Sequence, residues 1–264
     1  FALLYDLVTR LRNWFFDLGW LKSVSSPIPS IVVGNLSVGG TGKTPMVEFL
    51  IRMLSKDRRL ATISRGYGRK TKGFIEAYPS VSPEEIGDEP FQIYQKFGQD
   101  ISVFVGENRV ATIQEIATKS NAPDVVLLDD AFQHRYVKGD LNILLTTYQK
   151  PFFFDFLLPM GRLRESRAGA KRADIIIITK CPEELKASEI SSYKSQVETY
   201  SRARIPVFFS SISYGKPFPL FNSMAFSPKI ILLTGLASDQ NLVDYVRKKY
   251  ELLEVMSYPD HYDY

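Results

Sequence analysis

The sequence predicts an α/β protein built on a doubly wound, mostly parallel sheet, and three observations predict it. Short apolar runs recur along the chain, stretches of helical length separate several of them, and one run breaks into a glycine cluster that opens a helix. Runs that are apolar at every position suit strands buried on both faces, and helices are the usual connection between parallel strands.

The first element stands apart from that alternation. Residues 1–20 read as an amphipathic helix, with Leu4, Leu7, Val8, Leu11, Phe15 and Leu18 at helical spacing. Trp14, Phe16 and Trp20 widen the apolar stripe, and the prolines of "SSPIP" stop it. Such a stripe suits core packing, and it also suits a helix lying in a bilayer interface. The strand runs follow at 31–33, 60–63, 102–105, 125–128, 142–145, 175–178, 206–209 and 230–233, with helices expected at 45–55, 89–97 and 109–118. The proline-bearing loop 213–228 is the candidate boundary to a second, smaller α/β unit that begins at Lys229 and looks incomplete. The expected organisation is an N-terminal helix over 1–26, a main domain over 27–222 and the start of a C-terminal α/β domain over 223–264.

Composition narrows the class. A chain of 264 residues can bury a sizeable core, and 45% hydrophobic with 23% charged residues is ordinary for a globular protein. The net charge of +4 hints at an anionic partner without naming one. One cysteine, Cys181, excludes an internal disulfide framework. No apolar run approaches the ~20 residues that span a bilayer. A nucleic-acid binder is not expected, because no nucleic-acid motif appears.

The glycine cluster is "SVGGTGKT", comprising Ser37, Val38, Gly39, Gly40, Thr41, Gly42, Lys43 and Thr44. Between a strand and a helix this pattern cradles phosphates: glycines admit positive φ, so successive N–H groups converge on anionic oxygens at the helix start. Lys43 reaches the terminal phosphates of a nucleotide and the Thr44 hydroxyl ligates Mg²⁺. A strict version of the motif has glycine where Ser37 stands. The metal-side partner is "DVVLLDD", which places Asp129 and Asp130 at the carboxyl end of an apolar strand, where the ligand crevice of such sheets lies. The fold expectation is therefore a P-loop NTPase-like doubly wound sheet, and the expected chemistry is phosphoryl transfer from ATP with Mg²⁺.

Further along, the order of "GNLSVGGTGKTP", "ISRGYGRK", "GDEP", "LLDDAFQHR", "DLNILL", "LLPMGRLRE", "ADIIIITK" and "SYPDHYDY" resembles the tetraacyldisaccharide 4′-kinase family of lipid A biosynthesis over essentially the whole chain. The resemblance implies γ-phosphoryl transfer to the 4′-hydroxyl of a tetraacyl disaccharide 1-phosphate by a monomer at the cytoplasmic face of the inner membrane, in a cleft between two α/β domains. It implies that Asp88 is the base and pairs with His261, and that Arg164 and Glu165 belong to the site. By chemistry, Arg164 neutralises transferring phosphate, while Glu165 aids Mg²⁺ or fixes that arginine. Glu89 serves the metal or caps the helix that begins beside it. The basic loop Arg65, Tyr67, Arg69, Lys70, with His134, offers contacts for a phosphorylated sugar head group, or else a solvated face and a structural histidine. "PFFFDFLLP", before a second basic cluster, is a candidate for the membrane interface or for the core. The alternative is a P-loop GTPase or metallochaperone-like NTPase, because "TKCP" follows a strand as a guanine-reading loop would. That loop, however, has Thr179 in place of asparagine and Pro182 in place of the base-reading aspartate.

Overall fold

The computed structural model describes residues 2–219, 227–236 and 239–258. It divides into two compact units, 1–211 and 212–264.

The first unit begins with α1 (Ala2–Asp17) and continues through β1 (Val24–Ser25), β2 (Ser30–Asn35), α2 (Lys43–Leu54) and β3 (Leu60–Ser64). A short edge strand β4 (Ile75–Glu76), the single turn α3 (Pro83–Ile86), α4 (Asp88–Phe97), β5 (Ile101–Val105), α5 (Arg109–Ala117) and β6 (Val125–Asp129) come next. The unit closes with β7 (Val137–Lys138), β8 (Leu141–Thr147), β9 (Ile175–Thr179), α6 (Ala187–Tyr200) and β10 (Val207–Phe209). Seven of the eight apolar runs read from the sequence are strands of this unit, and the eighth, 230–233, is a strand of the second.

These strands form an eight-stranded sheet in the order β10-β9-β8-β2-β6-β3-β5-β4. Every pairing is parallel except β4 with β5. Alternate residues of one strand face opposite sides, and the two cores show it. Val33, Leu127 and Ile143 pack with Val47, Leu50 and Ile51 of α2 and Ile93 of α4. Val32, Leu128 and Leu144 pack on the other face, with Ile113 and Ile116 of α5 and Val197 of α6. The chain runs outward from β2 to β3 and β5, returns to β6, then crosses to β8 and β9. That reversal beside β2 is the topological switch point, and ligands bind beyond the carboxyl ends of the strands there.

Helix α1 is mounted with its apolar stripe outward, which corrects the core-packing option. Leu4, Leu7, Val8, Leu11 and Trp14 are exposed, and Phe16 alone on the helix is buried. The inward face is instead Tyr5, Asn13 and Phe16: Tyr5 donates to the Arg164 carbonyl at 2.8 Å and the Phe16 ring meets Tyr136 edge-on. The "PFFFDFLLP" segment divides between its two readings. Phe152 and Phe153 are sealed in the core by a 3₁₀ turn, while Phe154 and Phe156 face outward.

The second unit is a βαβ element by itself: β11 (Lys229–Thr234), α7 (Gln240–Lys249) and β12 (Glu251–Ser257), with the two strands parallel.

Candidate active site

The loop between β2 and α2 is shaped by its glycines. Gly39 and Gly42 hold φ of 99° and 85°, a region side chains disfavour. Among the described residues, the amides of Gly39, Gly40, Gly42, Lys43 and Thr44 donate to no protein acceptor. Gly42 occupies the cap position of α2 without any side chain closing it, so the helix N-terminus opens into the same space. Neighbours hold the loop in shape. Ser37 is buried and bridges Leu163, the Val38 amide donates to the Arg162 carbonyl, and Asn35 donates to the Thr41 hydroxyl at 2.6 Å. The result is a braced loop whose amide donors lack protein acceptors, which an anion would satisfy.

Beside it, at the end of β6, stand Asp129 and Asp130. Asp130 has a left-handed backbone, φ 43°, which aspartate tolerates better than most residues. Arg109 imposes it: this arginine is buried at the start of α5, and one of its terminal nitrogens donates to the carbonyls of both Asp129 and Asp130. Asp130 is gripped by both terminal nitrogens of Arg164 and lies 3.8 Å from the Lys43 ammonium. Burial raises its pKa, but the hydrogen bonds and charge of Arg164, with Lys43 and Arg109, hold it below the usual carboxylate range. Arg164 also donates to the Asn35 side chain, so one residue ties the acidic corner to the glycine loop.

Asp129 is the electrostatic opposite. Burial, with Glu89 and Asp130 adding repulsion, pushes its carboxyl up to about 7 against the attraction of Lys43. The Thr44 hydroxyl makes no hydrogen bond among the described residues. The Asp129 carboxyl, which lacks a compensating partner, and the unpartnered Thr44 hydroxyl are both oxygen donors of the kind Mg²⁺ takes.

Glu89 reaches this corner through a contact between glycines. Gly66 and Gly87 hold φ of 69° and 90°, and a Cβ on Gly87 would meet the Tyr67 carbonyl at 2.8 Å. This close backbone approach sets the "SRGYGRK" loop against the N-terminus of α4, where Asp88 and Glu89 are the exposed first residues. Arg65 and Tyr67 are also exposed, as a head-group contact requires. Arg69 is a correction to that expectation: its side chain turns inward, pairs with Glu107 at 2.6 Å and donates to the Gly73 carbonyl, so it ties the loop together. Lys70 pairs with exposed Glu84. His261 lies outside the described residues.

Glu165 differs from both roles expected for it. It is buried, and its oxygens accept from Asn13 of α1, from Gln133 and from Arg172, at 3.0, 3.0 and 2.6 Å. It fixes Arg172 and α1 rather than Arg164, with its acceptor positions facing inward. His134 is half-buried against Tyr136 beside a cavity of about 270 Å³, and its Nε2 has no partner. Burial, then the charges of Arg109, Arg12 and Arg65, lower its pKa to about 4, so the imidazole is neutral near pH 7. Asn35 and Gln133 lie inside motif segments that give them no role of their own, and Arg109 lies outside every such segment, so the sequence marks none of the three as a site residue. Thr179 donates its hydroxyl to the carbonyls of Thr41 and Thr146, which leaves it no part in reading a base edge.

A cradle of open amides facing a lysine, an arginine-clamped aspartate and a buried acid defines a P-loop phosphotransferase. The sequence matches the family model for tetraacyldisaccharide-1-P 4′-kinase, LpxK, over residues 1–264, and the chain belongs to that family. The tetraacyldisaccharide 4′-kinase of Flavobacterium psychrophilum is 45% identical, over 100% of this chain and 78% of that protein. That of Phocaeicola vulgatus is 44% identical, over 99% of this chain and 73% of that protein. The crystal structure of LpxK from Aquifex aeolicus in complex with ATP is 34% identical, with a TM-score of 0.74, covering 100% of this chain and 81% of that one. The GTPase alternative is not favoured.

Proposed function

We infer that this chain is a lipid kinase that transfers the γ-phosphoryl group of ATP to the 4′-hydroxyl of a tetraacyl disaccharide 1-phosphate. The observation that carries this reading is the open amide cradle facing Lys43 and the Arg164–Asp130 clamp, in a chain of the tetraacyldisaccharide-1-P 4′-kinase family. Phosphoryl transfer needs little covalent help from a protein; it needs positioning and positive charge at the moving phosphoryl oxygens. The loop amides align the triphosphate, while Lys43 and Arg164, held 3.8 and 2.7 Å from one Asp130 oxygen, place two cations together where that charge gathers. Thr44 and Asp129 would hold Mg²⁺, with Glu89 near, and the ion would neutralise phosphate charge when bound. A sugar hydroxyl must lose its proton during attack. We assign that proton to Asp88, exposed at the start of α4.

Peripheral attachment to the inner membrane is part of this proposal. No helix among the described residues is long and apolar enough to cross a membrane. The acceptor's acyl chains reside in a bilayer, and α1 turns its apolar stripe outward while its inward face bonds the Arg164 carbonyl and the Glu165 carboxylate. The decisive test is to incubate the full chain with Mg-ATP and a tetraacyl disaccharide 1-phosphate and weigh the lipid by mass spectrometry. One added phosphoryl group is expected, and a lipid of unchanged mass beside hydrolysed ATP would refute the acceptor.

A further inference from the structure

Lys180 follows the last residue of β9 and takes a left-handed backbone, φ 56°. A non-glycine residue adopts that conformation when its surroundings impose it. Here both neighbours are tied: the Thr179 hydroxyl donates to the Thr41 carbonyl at 2.8 Å, and the Cys181 amide donates to the Ser210 carbonyl at 2.9 Å. The turn lays the lysine side chain over the glycine loop, where a Cβ on Gly40 would come within 3.7 Å of Nζ. The ammonium is half-buried and has no acceptor among the described residues, and burial alone holds its pKa below the usual lysine value. It is a desolvated cation without a protein counter-charge, set against a loop built for phosphates.

Its side of the loop says which part of the nucleotide it meets. Lys43, Asp129, Asp130 and Arg164 gather at the end of β6, on one flank of β2, whereas β9 lies beyond β8 on the other flank. A triphosphate whose tail points toward the β6 corner directs its nucleoside end toward β8 and β9. We propose that Lys180 holds the nucleoside end of ATP, its ammonium meeting the α-phosphate and ribose oxygens beside Gly40; the assignment rests on the ATP-dependent kinase reading above. Such an interaction is the same in ground and transition states, so it lowers KM and leaves the chemical step alone.

The test measures ATP and ADP affinity, with KM and kcat, for the full chain carrying Lys180→Met and Lys180→Arg. Removing one charge-assisted hydrogen bond from such a site weakens binding by about tenfold. Lys180→Met should lose ATP and ADP by that same factor and raise KM for ATP with kcat nearly unchanged, while Lys180→Arg recovers most of the loss. Lys180→Gly, at ease at this φ, should repeat the loss in a backbone free of strain. Wild-type affinity in the Met and Gly variants overturns the proposal, and so does a loss confined to ATP, which would place the ammonium on the γ-phosphate. Turnover of the wild-type chain with the lipid acceptor, followed in parallel, judges the kinase reading independently of either result.

Discussion

The guanidinium of Arg164 takes both carboxylate oxygens of Asp130, at 2.7 and 3.1 Å, across 34 residues of sequence. The pair sits where the Lys43 ammonium also approaches, so a single aspartate orients two cations toward one point. A planar fork holds this geometry; a lysine in its place would keep the charge and lose the second bond. Arg164→Ala should lower kcat by about a hundredfold, in the range seen when one preorganised donor is removed, and Arg164→Lys should recover only part of it. Steady-state rates at saturating ATP and lipid decide the matter, and a wild-type kcat in the alanine variant would detach the clamp from the chemistry.

Gly87 should tolerate no side chain. Alanine there combines a φ of 90° with a 2.8 Å clash against the Tyr67 carbonyl. A loss of roughly 1–3 kcal/mol of stability is expected. Gly68→Ala, at φ 78° in open space, should cost less, because it carries strain without the clash. The Gly87 variant should also lose kcat, since displacement of the α4 N-terminus moves Asp88. Urea denaturation of the two variants side by side separates conformation from collision, and equal losses would make the close approach irrelevant.

Glu165 should matter first to stability. Its removal takes the acceptor from Asn13 and the counter-charge from Arg172, while Gln133 keeps the Asn35 carbonyl, and breaking a pair with one buried partner costs about 3 kcal/mol or more. Glu165→Ala should unfold at clearly lower urea, with Glu165→Gln intermediate. Were Glu165→Gln as stable as wild type yet dead in turnover and weakened for Mg²⁺, the carboxylate would belong to the metal after all.

His134 gives a pH signature whose sign follows from its depressed pKa. The unfolded chain takes up a proton near pH 6.5, while the folded chain refuses it until about pH 4. Between those values the unfolded state binds more protons, so stability falls as pH is lowered through that window and is unaffected by this group above it. His134→Asn should flatten that part of a Tm-against-pH profile. Parallel profiles for wild type and variant would show that the imidazole is not held neutral by its surroundings.

The outward stripe of α1 makes a membrane prediction. Leu4, Leu7 and Leu11 are 62%, 62% and 45% exposed, so serine at all three should leave the fold intact. Binding to anionic vesicles should weaken with the apolar area removed from the interface. Co-sedimentation equal to that of the wild type would leave the stripe without a role at the bilayer.

The sheet was legible because apolar runs and glycine punctuation are local signals. The runs at 31–33, 60–63 and 125–128 became β2, β3 and β6 with boundaries shifted by a residue or two. Strands β1, β4 and β7 were not legible, since two residues each carry no periodicity and pairing alone defines them. The residues from Ser37 to Thr44, with Asp129 and Asp130, were legible for the same local reason: a phosphate cradle needs its glycines and lysine in sequence, at a strand end.

What the sequence by itself determined is therefore the alternation of elements, the anion-binding loop and the family. Each rests on residues near one another in the chain. Tertiary structure decided the rest. It turned the apolar face of α1 outward, because Tyr5, Asn13 and Phe16 found partners on the body of the unit, and a helical period states only that two faces differ. It turned Arg69 inward and Arg164 toward Asp130, since a charge run says nothing about which carboxylate lies within reach. It brought Arg109 of α5 against the end of β6 and Lys180 over Gly40, meetings that no spacing along the chain records.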